Sequence, residues 1–220
     1  MSSAIMHQKY ALVTGGSEGI GAAIAHMLVR HGFHVILIAR DLIKLEAARE
    51  KLASEHVSIF TCDVSDRGAI AQLRNYIDVV TPRLDVLVNA AGTFRWDPSD
   101  IDLMGVNAKS KQFIIDVFKD MLPPGAWVVN VSSQAALFEM DDPRRDGEES
   151  YVRSMQEVDR FSEEFAQNHI DFHTIVLHPP LLKGKIAETQ FRGRVGFEDL
   201  DFNSLPGPSD IADELEGKMF

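Results

Sequence analysis

The stretch Thr14-Gly15-Gly16-Ser17-Glu18-Gly19-Ile20-Gly21 decides how this chain is read. It follows Tyr10–Val13, a short apolar run with strand character, and opens Ile20–His31, where apolar residues recur at helical spacing. A strand that turns through glycines directly into a helix aims the first helical N–H groups and the positive end of the helix dipole at one point, where a pyrophosphate can sit. Glycine allows the tight turn and the close approach of backbone to ligand, and Gly21 lets helix and strand pack closely. Gly15, Ser17, Glu18, Gly19, Ile20 and Gly21 are therefore candidate cofactor-binding residues.

Working outward, runs rich in β-branched and aliphatic residues alternate with longer helical stretches. Strands are expected at Tyr10–Val13, Phe33–Ala39, Val57–Thr61, Leu84–Val88, Trp127–Val131 and Phe172–Leu177. Helices are expected at Ile20–His31, Ile43–Glu55, Arg67–Val79, Asp102–Met121, Tyr151–Asn168 and Ser209–Gly217. The strands are apolar along nearly their whole length, as in a parallel sheet covered on both faces. The pattern predicts an α/β protein, a three-layer, doubly wound parallel sheet of the Rossmann type with six strands, in one domain over residues 1–220.

With 220 residues, 45% of them hydrophobic and 25% charged, the chain can bury a substantial core. Its formal charge of -11 argues against nucleic acid or an anionic membrane as partner, since such surfaces need clustered Lys and Arg. No apolar run approaches the roughly 20 residues that a bilayer requires, and Met1–Lys9 lacks the pattern of a secretory signal, so a cytoplasmic location is expected. Cys62, the single cysteine, is expected as a buried, inert thiol. The eight histidines show no ligand spacing, and no metal is expected.

The spacing of Gly15, Gly19 and Gly21 resembles the T-G-x-x-x-G-x-G loop of short-chain dehydrogenases/reductases. Further motifs follow in the family's order: Asp63-Val64 after the third strand, Asn89-Ala90-Ala91-Gly92 after the fourth, and Val106-Asn107 in the next helix. The resemblance runs from about Tyr10 to Pro180. It implies that Asp63 and Val64 contact adenine, that Asn89, Ala90 and Gly92 line the cofactor, and that Pro179, after the sixth strand, lies near the nicotinamide. Pro208-Ser209-Asp210-Ile211-Ala212 resembles the family's approach to its last helix and strand, so the usual last strand is expected to be missing.

Arg40 stands just after the second strand, on the side of the adenosine ribose. An acidic residue there would bind the 2′-hydroxyl of NAD, whereas a guanidinium fork suits the 2′-phosphate of NADP. NADP(H) is therefore favoured over NAD(H). Asp41 and Glu18 count against it if they face inward.

The resemblance also implies a catalytic set. Ser133, the second serine after the fifth strand, would polarise the substrate oxygen; Tyr151 would transfer the proton; and Asn107 would support them. The family's Y-x-x-x-K places a lysine at position 155, where this chain has Met155. A phenol ionises near pH 10, and an adjacent cation favours the ionised form by roughly 1–3 pH units, a field that methionine does not supply. Alcohol oxidation, which needs a phenolate base, should suffer more than carbonyl reduction, which needs only a proton donor. Lys111, one turn beyond Asn107, shares its helix face and is a conceivable replacement cation, but a solvated surface lysine is the expected reading. Pro180 replaces the family's glycine after the sixth strand and alters the nicotinamide clamp. His178 is a marginal proton-donor candidate.

Glu139–Glu149 is longer and more charged than the family's loop and reads as a solvated insertion rather than a substrate lid or a partner-docking segment; Gly184–Asn203, where relatives carry a substrate-covering helix, says nothing about substrate. The leading expectation is an NADP(H)-dependent oxidoreductase that reduces a small-molecule carbonyl or oxidises an alcohol, with homo-oligomerisation left open. Two alternatives stand beside it: a dinucleotide-binding regulatory or partner protein without redox activity, and a non-redox lyase or isomerase on the same fold.

Overall fold

In the computed structural model, the described residues are 7–94, 102–138, 148–183, 201 and 203–220. Six strands, β1 (Tyr10–Thr14), β2 (His34–Ala39), β3 (Val57–Thr61), β4 (Val86–Asn89), β5 (Trp127–Val131) and β6 (His173–Leu177), form one parallel sheet in the order β3-β2-β1-β4-β5-β6. The order reverses between β1 and β4, which pair in register from Ala11↔Val86 to Thr14↔Asn89. That reversal opens a crevice at the carboxyl ends of the two strands.

Helices cover both faces. Along β1, Ala11 and Val13 point to one side, where they pack with α1 (Gly19–Arg30), α2 (Leu42–Leu52) and α6 (Pro208–Met219). Leu12 points to the other, toward α3 (Arg67–Val80), α4 (Ser110–Phe118) and α5 (Glu149–Asn168). The alternation is the pleat of a strand buried on both faces. Short polar caps fix the helix starts: Asp41 accepts from Lys44 N (3.1 Å) at α2, and Asp66 accepts from Gly68 N (2.7 Å) at α3. Among the described residues, no helix is long and apolar enough to cross a membrane.

Most expected elements appear within two or three residues of their forecast ends. Two differences matter. The strand expected from Leu84 begins at Val86, although the backbone of Asp85 still bridges its neighbours, its N donating to Tyr10 O (2.8 Å) and its O accepting from Trp127 N (2.9 Å), while its carboxylate accepts from Tyr10 N (2.9 Å) and pairs with Arg83. The helix expected over Asp102–Met121 is three pieces: a π turn at Gly105–Lys109, α4, and a 3₁₀ turn at Lys119–Met121. In the π turn, Ser110 N reaches back five residues to Gly105 O, and Ser110 Oγ donates to Val106 O (2.6 Å). Asp102 starts this segment by accepting from Gly105 N (2.8 Å); a Cβ on Gly105 would lie 2.4 Å from the same carboxylate.

Candidate functional site

The glycine loop is built against the tip of β4. Gly15 (φ +67°) and Gly19 (φ +60°) adopt left-handed backbone that favours glycine. A Cβ on Gly15 would stand 2.8 Å from Ala91 N and 2.9 Å from Ala91 Cα, and one on Gly21 would stand 2.3 Å from Gly15 O. Thr14 locks the two strand ends together, its Oγ1 donating to Val88 O (3.3 Å) and accepting from Ala91 N (3.2 Å). Glu18 precedes α1 without a side-chain cap, so the first amides of α1 lack a side-chain acceptor where the helix start abuts Gly15, itself pressed against Ala91 beyond β4. Ser17 and Ile20, half-buried, flank the same turn.

On the β2–β3 side, Arg40 is exposed beyond the end of β2. The two carboxylates that could oppose a phosphate there are engaged: Asp41 caps α2, and Glu18 pairs with Lys44 Nζ at 3.0 Å. Burial disfavours ionisation of Asp63, but hydrogen bonds from Ser65 N (2.9 Å) and Ser65 Oγ (2.7 Å), aided by the charge of Arg40, hold its carboxyl below the usual range. Val64 is buried in the core beneath it. Cys62 is buried as expected, and burial together with Asp63 and Asp66 pushes its thiol up to about 11.

At the tip of β4, Asn89 is fully buried, and its Nδ2 donates to Asn130 Oδ1 (3.0 Å) on β5; Asn130 Nδ2 donates in turn to Ser162 Oγ (2.9 Å) on α5. Beyond it, Ala90 and Ala91 are half-buried and Gly92 is exposed. Asn107, buried in the π turn, clasps this loop: its Oδ1 accepts from Thr93 N (2.8 Å), and its Nδ2 donates to Thr93 O (2.9 Å) and Ser154 Oγ (3.1 Å). Ser154 Oγ donates to Tyr151 O (2.7 Å), so Asn107 is tied to the first turns of α5.

Lys111 departs from its expected place. It is not a surface residue: it is 1% exposed, and its Nζ donates to Ala91 O. Burial lowers its pKa from the ordinary lysine value to about 7. The sequence carried a signal for this, because Ile114, Ile115 and Phe118 lie three, four and seven residues further on and put Lys111 in the apolar stripe of α4. The same spacing, with Val158 and Phe161, marks Ser154 as inward-facing on α5, which sequence reasoning also passed over.

At the end of β5, Ser132 is buried with its Oγ donating to Met155 O (3.3 Å). Ser133 is half-buried, and its Oγ accepts from Ala135 N (3.1 Å), capping a 3₁₀ turn at Gln134–Leu137. Gln134 N donates to the carbonyl of buried Pro179 (3.1 Å), which joins the segments after β5 and β6. Tyr151, half-buried in the first turn of α5, meets the ring of Phe94 edge-on at 4.8 Å. Met155 is 3% exposed. His178 pairs with Asp159 at 2.9 Å, on the second half of α5 and two turns beyond Tyr151. Residues 139–147, within the charged insertion, and nearly all of 184–203 lie outside the described residues.

A doubly wound parallel sheet with a glycine turn at its switch point is a Rossmann-type α/β protein. The sequence model of the short chain dehydrogenase family matches residues 9–176, and the chain belongs to that family. Carbonyl reductase (NADPH) 3 of Mus musculus is 36% identical over 162 residues, which cover 69% of this chain and 58% of that protein. The chain spans about half the length, or less, of the curated relatives it matches. A metagenomic short-chain oxidoreductase solved in complex with NADP is 26% identical with a TM-score of 0.75, covering 96% of this chain and 90% of that one. A short chain dehydrogenase from Salmonella enterica serovar Typhi shares the fold, with 22% identity and a TM-score of 0.82 over 100% of this chain and 93% of that one.

Proposed function

We propose that this chain is an NADP(H)-dependent oxidoreductase that reduces a carbonyl group of a small molecule. The observation that carries this reading is the cradle at the β1–β4 crevice, where Gly15 and Gly21 leave backbone amides bare and no Cβ would fit. The residues present suit a dinucleotide. The backbone of Gly15, Ser17, Gly19, Ile20 and Gly21 would take the pyrophosphate, Asp63 and Val64 the adenine, and Arg40 the 2′-phosphate. Asn89, Ala90, Gly92 and Pro179 would border the nicotinamide half. The guanidinium of Arg40 supports NADP(H) over NAD(H), while the two nearby carboxylates are engaged, Glu18 with Lys44 and Asp41 as the cap of α2. The similarity to a protein named carbonyl reductase (NADPH) points to the same cofactor and substrate class.

A reduced nicotinamide, when bound, supplies a hydride. The chain supplies the rest: the Ser133 hydroxyl, whose oxygen already accepts from Ala135 N, keeps its proton to donate to the substrate carbonyl oxygen. Tyr151 donates the proton that oxygen needs once it becomes an alkoxide. Asn107, through Ser154, holds the backbone of Tyr151 in place. With Met155 where the resemblance implies a lysine, reduction is the favoured direction, because it uses the phenol in its protonated form.

Fluorescence titration with NADPH tests the cofactor half of this reading, and NADPH consumption with a panel of activated diketones and quinones tests the chemistry. Micromolar binding with turnover is expected. A second reading, a dinucleotide-binding protein without redox activity, is favoured by one observation, the buried methionine at 155. Tight binding without turnover on any panel member would select it.

A further inference from the structure

We propose that Lys111 contacts the bound dinucleotide directly, rising from α4 beneath Gly92 to donate to the ribose oxygens of the nicotinamide half; this rests on the cofactor reading above. A lysine ammonium carries three donors, and a buried one is costly unless paired. Lys111 spends one donor on Ala91 O, and among the described residues no carboxylate pairs with it. Replacing it with an apolar residue would remove that cost, so its presence in an apolar stripe points to a use outside the fold itself.

Its position supplies the use. A Cβ placed on Gly92 would lie 3.7 Å from Lys111 Nζ and 3.3 Å from Asn107 Oδ1. Gly92 is exposed and has no such atom, so two polar groups lie just under the surface at the tip of β4. The carbonyl that Lys111 holds belongs to Ala91, the residue against which Gly15 abuts, so the ammonium is one residue from the phosphate loop. Arg40 and Asp63 stand beyond β2 and β3, on the opposite side of the switch point from β4. A dinucleotide lying across that point has its adenosine toward them and its other ribose toward Lys111. Ribose hydroxyls accept hydrogen bonds and suit the donors that Lys111 has left.

The chemistry predicts opposite effects on fold and ligand in Lys111→Met, which separates contact from structural support. The variant of the full chain should melt at the wild-type temperature or higher. Its affinity for NADPH should fall at least tenfold, while its affinity for adenosine 2′,5′-bisphosphate, which lacks the nicotinamide half, should stay within twofold. NADPH affinity within twofold of wild type overturns the proposal, as does an equal loss for both ligands. In the wild-type chain, the ¹³Cε resonance of Lys111 should move on saturation with NADPH and not with adenosine 2′,5′-bisphosphate, and a resonance unmoved by NADPH overturns the proposal whatever the variant does. If the wild type binds neither ligand, the cofactor reading falls and this inference with it; wild-type binding that Lys111→Met leaves intact removes this inference alone.

Discussion

The carbonyl oxygen of Gly15 lies 2.3 Å from where Gly21 would carry a Cβ. The loop and the first turn of α1 are thus pressed together backbone to backbone, and even a methyl group must push them apart. Gly21→Ala is expected to lower stability by about 1–3 kcal/mol, as overpacking does. It should also weaken NADPH binding by more than tenfold; thermal melting and fluorescence titration read the two effects, and an unchanged pair would show that the loop yields freely.

Arg40 is exposed beyond β2, with Asp41 and Glu18 both occupied by Lys44. A hydrogen bond to a charged group is worth about 1.5–3 kcal/mol, so Arg40→Ala should weaken NADPH roughly 10- to 100-fold. NADH affinity should change by less than threefold. Parallel loss of both cofactors would place the 2′-phosphate elsewhere.

Met155 is buried, and its carbonyl holds Ser132 Oγ. Met155→Lys is expected to raise turnover by about tenfold or more at neutral pH, with the larger gain in alcohol oxidation, because a positioned proton-transfer group is worth roughly 10²–10⁴ in rate. The melting temperature should fall, since the new amine enters an apolar site. Steady-state kinetics in both directions check the asymmetry, and equal or absent gains would show that the cation is not what limits the rate.

Burial lowers the pKa of Lys111 from 10.5 to about 7. Below pH 7 the amine is charged in both folded and unfolded chains, and the full cost of burying it applies. Between pH 7 and 10.5 the unfolded chain holds a proton that the folded chain has shed, so folding stability rises with pH, by up to about 1.4 kcal/mol per unit from this group. Cys62, whose thiol is pushed up to about 11, works in the opposite sense above pH 9 and limits the useful window. Denaturant melts at pH 7 and 9 should show a gain in the wild type that is absent from Lys111→Met; the same slope in both would mean that Lys111 does not titrate there.

Local patterns made the layers legible: near-continuous apolar strands, Asp at helix starts, and a glycine turn after β1 carry their structure in a few adjacent residues. Ser133, Tyr151 and Asn107 could be named as candidates, and no more than that, because motif order follows strand order. Lys111 was misread because its charge was weighed without the Ile114, Ile115 and Phe118 that share its stripe. The polar chain from Asn89 through Asn130 to Ser162 joins residues up to 73 positions apart, on two strands and a helix, and no single segment hints at it. The π turn was missed for a similar reason: it preserves the apolar spacing of a helix and differs only in which carbonyl Ser110 N reaches.

The wide turn at Gly105–Lys109 also has an evolutionary reading. A π turn is an α-helix that has accepted one surplus residue, and each helical residue advances the angular phase by about 100°. Deleting a single codon there would close the wide turn into ordinary α-helix and leave the inward ammonium of α4 facing as before, because the surplus residue is taken up within the turn itself.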